Sequence, residues 1–133
     1  MNFFLDNTFS SKLAKALGIM AETDEHQVVH LLQRFGGEDP GDLIWIPELG
    51  SWPGPWTLLS GDRKIMTNPQ RRTALTTSGR TAFFMPSGFP DLGGWEQASK
   101  LFKWFPAIAY RATHTKTQRF YEVRQNGSIE PLK

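Results

Sequence analysis

Three aspartates stand where a carboxylate is free to do chemistry. Asp6 closes the short apolar run "NFFL" at residues 2–5, and Asp62 follows the apolar run at residues 56–60. Asp42 opens the stretch "DLIWIPEL" between them. Carboxylates supply oxygen ligands, and a set of them suits Mg²⁺ or Mn²⁺, the ions that assist phosphate chemistry. Each aspartate also has a plain structural use. An Asp after a strand is good turn or cap chemistry, and one in a helix's first turn is favoured by the dipole. Asp39 reads as a helix cap and Glu48, beyond Pro47, as a solvated helix-end residue. The cations Arg63, Lys64, Arg71 and Arg72 follow Asp62 closely. They can grip a nucleic-acid backbone or form a solvated helix face.

The elements that must position these groups alternate. Residues 2–5 read as a strand, and "SSKLAKALGIMAE" as a helix capped by Ser10 or Ser11 with Leu13, Ala16, Leu17 and Met20 on its inner face. "HQVVHLL" at residues 26–32 is short and β-branched, which predicts a strand whose His26 and His30 are ordinary strand residues. The next helix is predicted with Asp39 as N-cap, Pro40 in first position, Asp42 in the first turn and Pro47 shortening it. After the rigid loop "SWPGPW", residues 56–60 give a third strand. "NPQRRTALTTSG" is a helix with Asn68 as N-cap, Pro69 first and Gly79 at its end.

"RTAFFMPSG" is a fourth strand, and residues 94–112 form a helix with Trp95, Ala98, Leu101, Phe102 and Phe105 on one face and a kink at Pro106. Asn126-Gly127 between two short alternating runs marks a hairpin at about residues 118–132. Four strand–helix units and a hairpin predict one α/β domain over residues 1–133, with a mostly parallel central sheet. Ligands of such sheets bind beyond the strands' carboxyl ends, where the strand order reverses. In a 2-1-3-4 winding, Asp6 and Asp62 are neighbours at that rim, with Asp42 entering from its helix. Three carboxylates there repel one another unless a cation sits among them.

Composition removes several alternatives. The 133 residues are 39% hydrophobic and 21% charged, which fits a soluble globular chain with an ordinary core. No apolar run approaches the roughly 20 residues that span a bilayer, so no membrane association is expected. The start "MNFFLDNTF" lacks a basic n-region, and a cytoplasmic location is expected. With no cysteine, thiolate chemistry and cysteine-ligated zinc are absent. No G-x-S-x-G elbow and no P-loop occur, and the three histidines lack metal-ligand spacing. Among the tryptophans, Trp45, Trp95 and Trp104 are expected in the core, while Trp52 and Trp56 flank prolines and are the better candidates for exposure.

The segments "MNFFLDN", "EHQVVHL", "DLIWIPEL", "TLLSGDRKI", "NPQRRTAL", "TAFFMPSG" and "WEQASKLFKWFP" occur in an order that resembles the PIN-like domain family. The branch it resembles is the one grouped with VapC-type toxins of bacterial toxin–antitoxin pairs, over residues 1 to about 112, with a similar hairpin tail. The resemblance implies an α/β/α sandwich and a Mg²⁺- or Mn²⁺-dependent endoribonuclease. Its catalytic and metal-holding acids would be Asp6, Asp42 and Asp62, its partners an RNA substrate, an antitoxin protein and a second copy in a homodimer. Where relatives often carry a further acid, this chain has Arg63 and Lys64, and Asn68 is the nearest polar substitute. A module that keeps the fold but only binds RNA or a partner protein is the alternative. A phosphoacceptor receiver would carry an acid pair at the first strand's end, where this chain has Asp6-Asn7.

Overall fold

The computed structural model describes residues 1–132. In chain order the elements are β1 (Asn2–Leu5), α1 (Ser11–Ala21), β2 (Gln27–His30), α2 (Leu31–Arg34), α3 (Asp42–Ser51) and β3 (Trp56–Ser60). They continue with α4 (Lys64–Thr67), α5 (Pro69–Ser78), β4 (Thr81–Phe84), α6 (Gly94–Thr113), β5 (Phe120–Val123) and β6 (Ile129–Pro131). The sheet runs β2-β1-β3-β4-β5-β6. All pairs are parallel except β5–β6, so the order reverses between β1 and β3 as the alternation predicts.

Side chains alternate across the strands and feed two cores. Phe3, Leu5, Leu59 and Phe83 pack with α1 and α6, while Phe4, Leu58, Ala82 and Phe84 pack with α3 and α5. The result is an α/β/α sandwich closed by the C-terminal antiparallel hairpin. Among the described residues no helix is long and apolar enough to cross a membrane.

Several boundaries differ from the sequence expectation, each for a local reason. Ser10 does cap α1, accepting from Leu13 N–H at 3.3 Å, but the buried face is Leu13, Ala14, Leu17 and Ala21, and Met20 is exposed. β2 ends at His30 because the imidazole turns the chain into α2. Its Nδ1 accepts from Leu32 N–H at 3.0 Å and its Nε2 lies 2.8 Å from the Phe9 carbonyl. That donor pattern makes His30 a buried corner brace and not an ordinary strand residue.

The N-cap of α3 is Gly41, at φ 97°, and Pro40 precedes the helix. Asp39 acts one step earlier, accepting from Gly41 N–H at 2.8 Å. Pro47 and Pro106 lie inside helices that continue past them. At Asn126-Gly127 the connection is longer than a two-residue turn, with Arg124 N–H bonded to the Ser128 carbonyl at 2.8 Å and Gly127 at φ 85°.

The layer behind Asp42 is close-packed. A Cβ on Gly50 of α3 would lie 2.8 Å from the Ser78 Cα at the end of α5. Gly50→Ala is therefore expected to cost about 1–3 kcal/mol by pushing α3 off α5. Urea unfolding reads this as a lower midpoint at unchanged slope.

Candidate active site

Register places the first carboxylate. Leu5 pairs with Leu59, so Asp6, one residue past the end of β1, meets Ser60 at the end of β3. Asp6 is 4% exposed, and its Oδ2 accepts from the Ser60 hydroxyl. Its Oδ1 accepts from the Thr8 backbone N–H at 3.0 Å and from the Thr8 hydroxyl. Ser60 Oγ in turn accepts from Asp62 N–H at 2.9 Å, and Thr8 Oγ1 accepts from Gly61 N–H at 2.7 Å. Two hydroxyls thus lock the end of β1 to the Gly61-Asp62 turn. The Ser-Gly-Asp run is turn chemistry, and that turn is tied to Asp6. Burial pushes the Asp6 carboxyl up to about 6, against the pull of the Ser60 and Thr8 bonds and with a further push from Asp42.

Asp42 reaches the same rim from the first turn of α3. Its Oδ1 accepts from the Trp45 indole N–H at 3.0 Å, and its Oδ2 pairs with Arg71 Nε at 2.9 Å. Desolvation raises its proton affinity, Trp45 and Arg71 lower it, and Asp62 and Asp39 raise it again. Asp62 is half-buried and its Oδ1 accepts from Lys64 N–H at 2.9 Å, which starts α4. The three acids are therefore within electrostatic reach in sequence: Asp42 acts on Asp6, and Asp62 on Asp42.

The basic residues divide. Arg71 is committed to Asp42, and Asn68 caps α5 by accepting from Arg71 N–H at 3.0 Å, which helps hold Arg71 at that post. Arg63 pairs with Glu122 of β5 at 3.2 Å, and Arg124 joins the same carboxylate at 3.3 Å. The hydrogen bond from Arg63 leads in holding Glu122 below the usual carboxylate range. Lys64 and Arg72 have exposed side chains.

Glu122 went unseen in the sequence. Ser60 pairs with Phe84 and Phe84 with Glu122, so it occupies the same rim three strands from Asp6. The signal was the alternation in "FYEV", but its partner Arg63 is far away in sequence.

The tryptophans also redistribute. Trp45 and Trp104 are buried as expected, whereas Trp95 is 94% exposed and Phe102 is also exposed. Trp52 and Trp56 are half-buried, stack edge-on at 4.8 Å, and lie at the other end of the sheet, where Trp56 pairs with Asn2. They are not at the rim. His26 lies just before β2, edge-on to Phe3 at 5.5 Å, and burial lowers its proton affinity.

The donor set matches a hard divalent cation in chemistry and charge: oxygen ligands, mutually repelling, with Asp6 disfavoured as a lone anion. In the arrangement described, however, no three His, Cys, Asp or Glu side chains among the described residues are gathered to hold a metal ion. Arg71 supplies the positive charge at Asp42 instead.

A mostly parallel α/β/α sandwich with carboxylates at its switch point is consistent with a nuclease-type fold. The chain belongs to the PIN like domain family, whose sequence profile matches residues 1–87. That span covers β1 to β4 and all three aspartates. No curated protein and no solved structure matches the chain.

Proposed function

We propose that the protein is a Mg²⁺- or Mn²⁺-dependent endoribonuclease whose reaction centre is Asp6, Asp42 and Asp62. The observation that carries this reading is Asp6 itself. A carboxylate this buried, held by two hydroxyls and raised to about 6, stands at a topological switch point with the Asp42 charge acting on it.

Asp6, Asp42 and Asp62 would hold the cation, whose charge would offset theirs where the Arg71 guanidinium pairs with Asp42. When bound, such an ion neutralises charge on the scissile phosphate and makes water a better nucleophile at neutral pH. The chain's own residues do the positioning. Ser60 and Thr8 hold both Asp6 oxygens in place, Trp45 orients Asp42, and Lys64 and Arg72 offer exposed positive charge to the RNA backbone.

The motif order similar to VapC-type toxins extends the proposal to the toxin of a type II pair, restrained by an antitoxin and acting as a homodimer. The alternative of a binding module that has lost the reaction draws on Arg63, which stands where relatives carry an acid and is neutralised by Glu122.

The test is cleavage of a labelled RNA with Mg²⁺ or Mn²⁺. Cleavage stopped by chelation and leaving no 2′,3′-cyclic phosphate fits attack by water. A cyclic phosphate would place the attack on the ribose 2′-hydroxyl in place of water, and activity unaffected by chelation would remove the metal from the reaction.

A further inference from the structure

The end of α6 and the β5–β6 hairpin line a cavity of about 430 Å³. Its walls carry Arg111, His114, Lys116 and Arg119, with Thr115 and Tyr121 between them, and no wall residue is an Asp or Glu. The whole chain has 15 Lys and Arg against 13 Asp and Glu, so three permanent cations without an acid are a local excess. The nearest acids in sequence face away. Tyr121 pairs with Pro131 and Glu122 with Glu130, so both glutamates lie on the opposite face of the sheet. No ion pair among the described residues uses Arg111, Lys116 or Arg119. Arg119 stands just before β5, at the end of the sheet away from Asp6 and Asp62.

Cations often gather at a helix C-terminus to serve its free carbonyls. Here those carbonyls are already taken. His114 N–H donates to the Tyr110 and Arg111 carbonyls at 3.2 and 3.3 Å, and Thr115 N–H to that of Ala112 at 3.2 Å. The Thr113 hydroxyl donates to the Tyr110 carbonyl at 3.0 Å, and the Thr115 hydroxyl to that of Arg111 at 2.7 Å. Other contacts fix the cavity's groups in place. The Arg111 guanidinium lies 5.2 Å from the centre of the Tyr121 ring, and Arg119 N–H donates to Thr81 Oγ1 at 3.2 Å. The backbone N–H groups of Lys116 and Thr117 meet no acceptor among the described residues, and such groups help cradle anions.

We infer that this cavity binds the phosphate group of a small phosphomonoester, at a site separate from the carboxylate rim. A phosphate dianion matches several cations better than a single carboxylate does, and a guanidinium fork pairs with two phosphate oxygens at once. The volume exceeds what a bare phosphate fills and lies in the range of small-ligand pockets, so an organic remainder the size of a nucleoside fits beside it. The inference does not depend on the ribonuclease reading.

The test is calorimetric titration of the full chain, without divalent metal and at constant ionic strength. The probes are a nucleoside monophosphate, inorganic phosphate and the unphosphorylated nucleoside. Both phosphates should saturate one site, and the nucleoside should not bind. Lys116→Gln combined with Arg119→Gln is expected to weaken phosphate binding by about tenfold or more, as for loss of charged hydrogen bonds. Both side chains are exposed, so the fold is kept and the melting point without ligand should not move. Lys64→Gln, at the carboxylate rim, should leave the affinity unchanged.

No saturable binding of either phosphate, or equal affinity in the double variant, would overturn the inference. So would a loss caused by Lys64→Gln instead, which would put the phosphate at the rim. If neither phosphate binds but RNA does, and the double variant loses the RNA, the cavity serves a nucleic-acid backbone and the small-ligand site falls.

Discussion

Asp6→Asn is expected to melt higher than the wild type at pH 8 while losing RNA cleavage. The two effects share one cause. The folded carboxyl is raised from 3.8 to about 6, so the folded state binds the proton more tightly than the unfolded chain. Stability from this group is fully present below about pH 4, falls as pH rises to about 6, and is absent above that. The ionised side chain therefore costs about 3 kcal/mol at neutral pH, the product of that pKa difference and 1.36 kcal/mol.

An asparagine carries no charge, and the Ser60 and Thr8 hydroxyls can rotate to serve it. Melting curves of both proteins from pH 4 to pH 8 should converge at the acid end. They should separate by up to about 10 °C at the other. Mn²⁺ should raise the melting point of the wild type above pH 6 and leave Asp6→Asn unmoved, since only the anion gains from a cation. Cleavage should fall by on the order of a thousandfold, a few kcal/mol of charge stabilisation. A wild type that is the more stable protein at pH 8 without metal would show that the buried anion is already compensated.

Trp45→Ala is expected to cost about 3–5 kcal/mol, the usual penalty for emptying an aromatic site. The ring is 1% exposed and lies 5.4 Å from Phe4, in the core that joins α3 to the sheet. Trp45→Phe separates packing from chemistry. It keeps most of the buried ring and deletes only the indole N–H that donates to Asp42. Its stability should drop by about 1–2 kcal/mol, whereas the pH profile of cleavage should move to higher pH, because one group that lowers the Asp42 proton affinity is gone. A profile that stays in place would make Trp45 a packing residue alone.

The architecture was legible because hydrophobic periodicity and turn chemistry are local. Asn68 before Pro69, Gly79 after α5 and the run "WTLLS" each carried their own signal, and strand–helix alternation fixed the parallel order. The three aspartates were legible as rim residues for the same reason. What the sequence withheld was set by tertiary contact. His30 is a strand residue as expected, but its bond to the Phe9 carbonyl across the fold and its capping of α2 carry no sequence signal. Trp95 falls on an apolar helical face, but α6 buries only from Gln97 onward. The pairings of Arg71 with Asp42 and of Arg63 with Glu122 decide which cations are free, and no spacing rule announces them.

The most direct test compares wild type with Asp62→Asn on a labelled, partly unpaired RNA in Mg²⁺, in Mn²⁺ and after chelation. The account predicts cleavage by the wild type in both metals, none after chelation and none by the substituted protein. A wild type inert in both metals on several RNAs would contradict it, and the protein would then be a binding module that has kept the fold without the reaction.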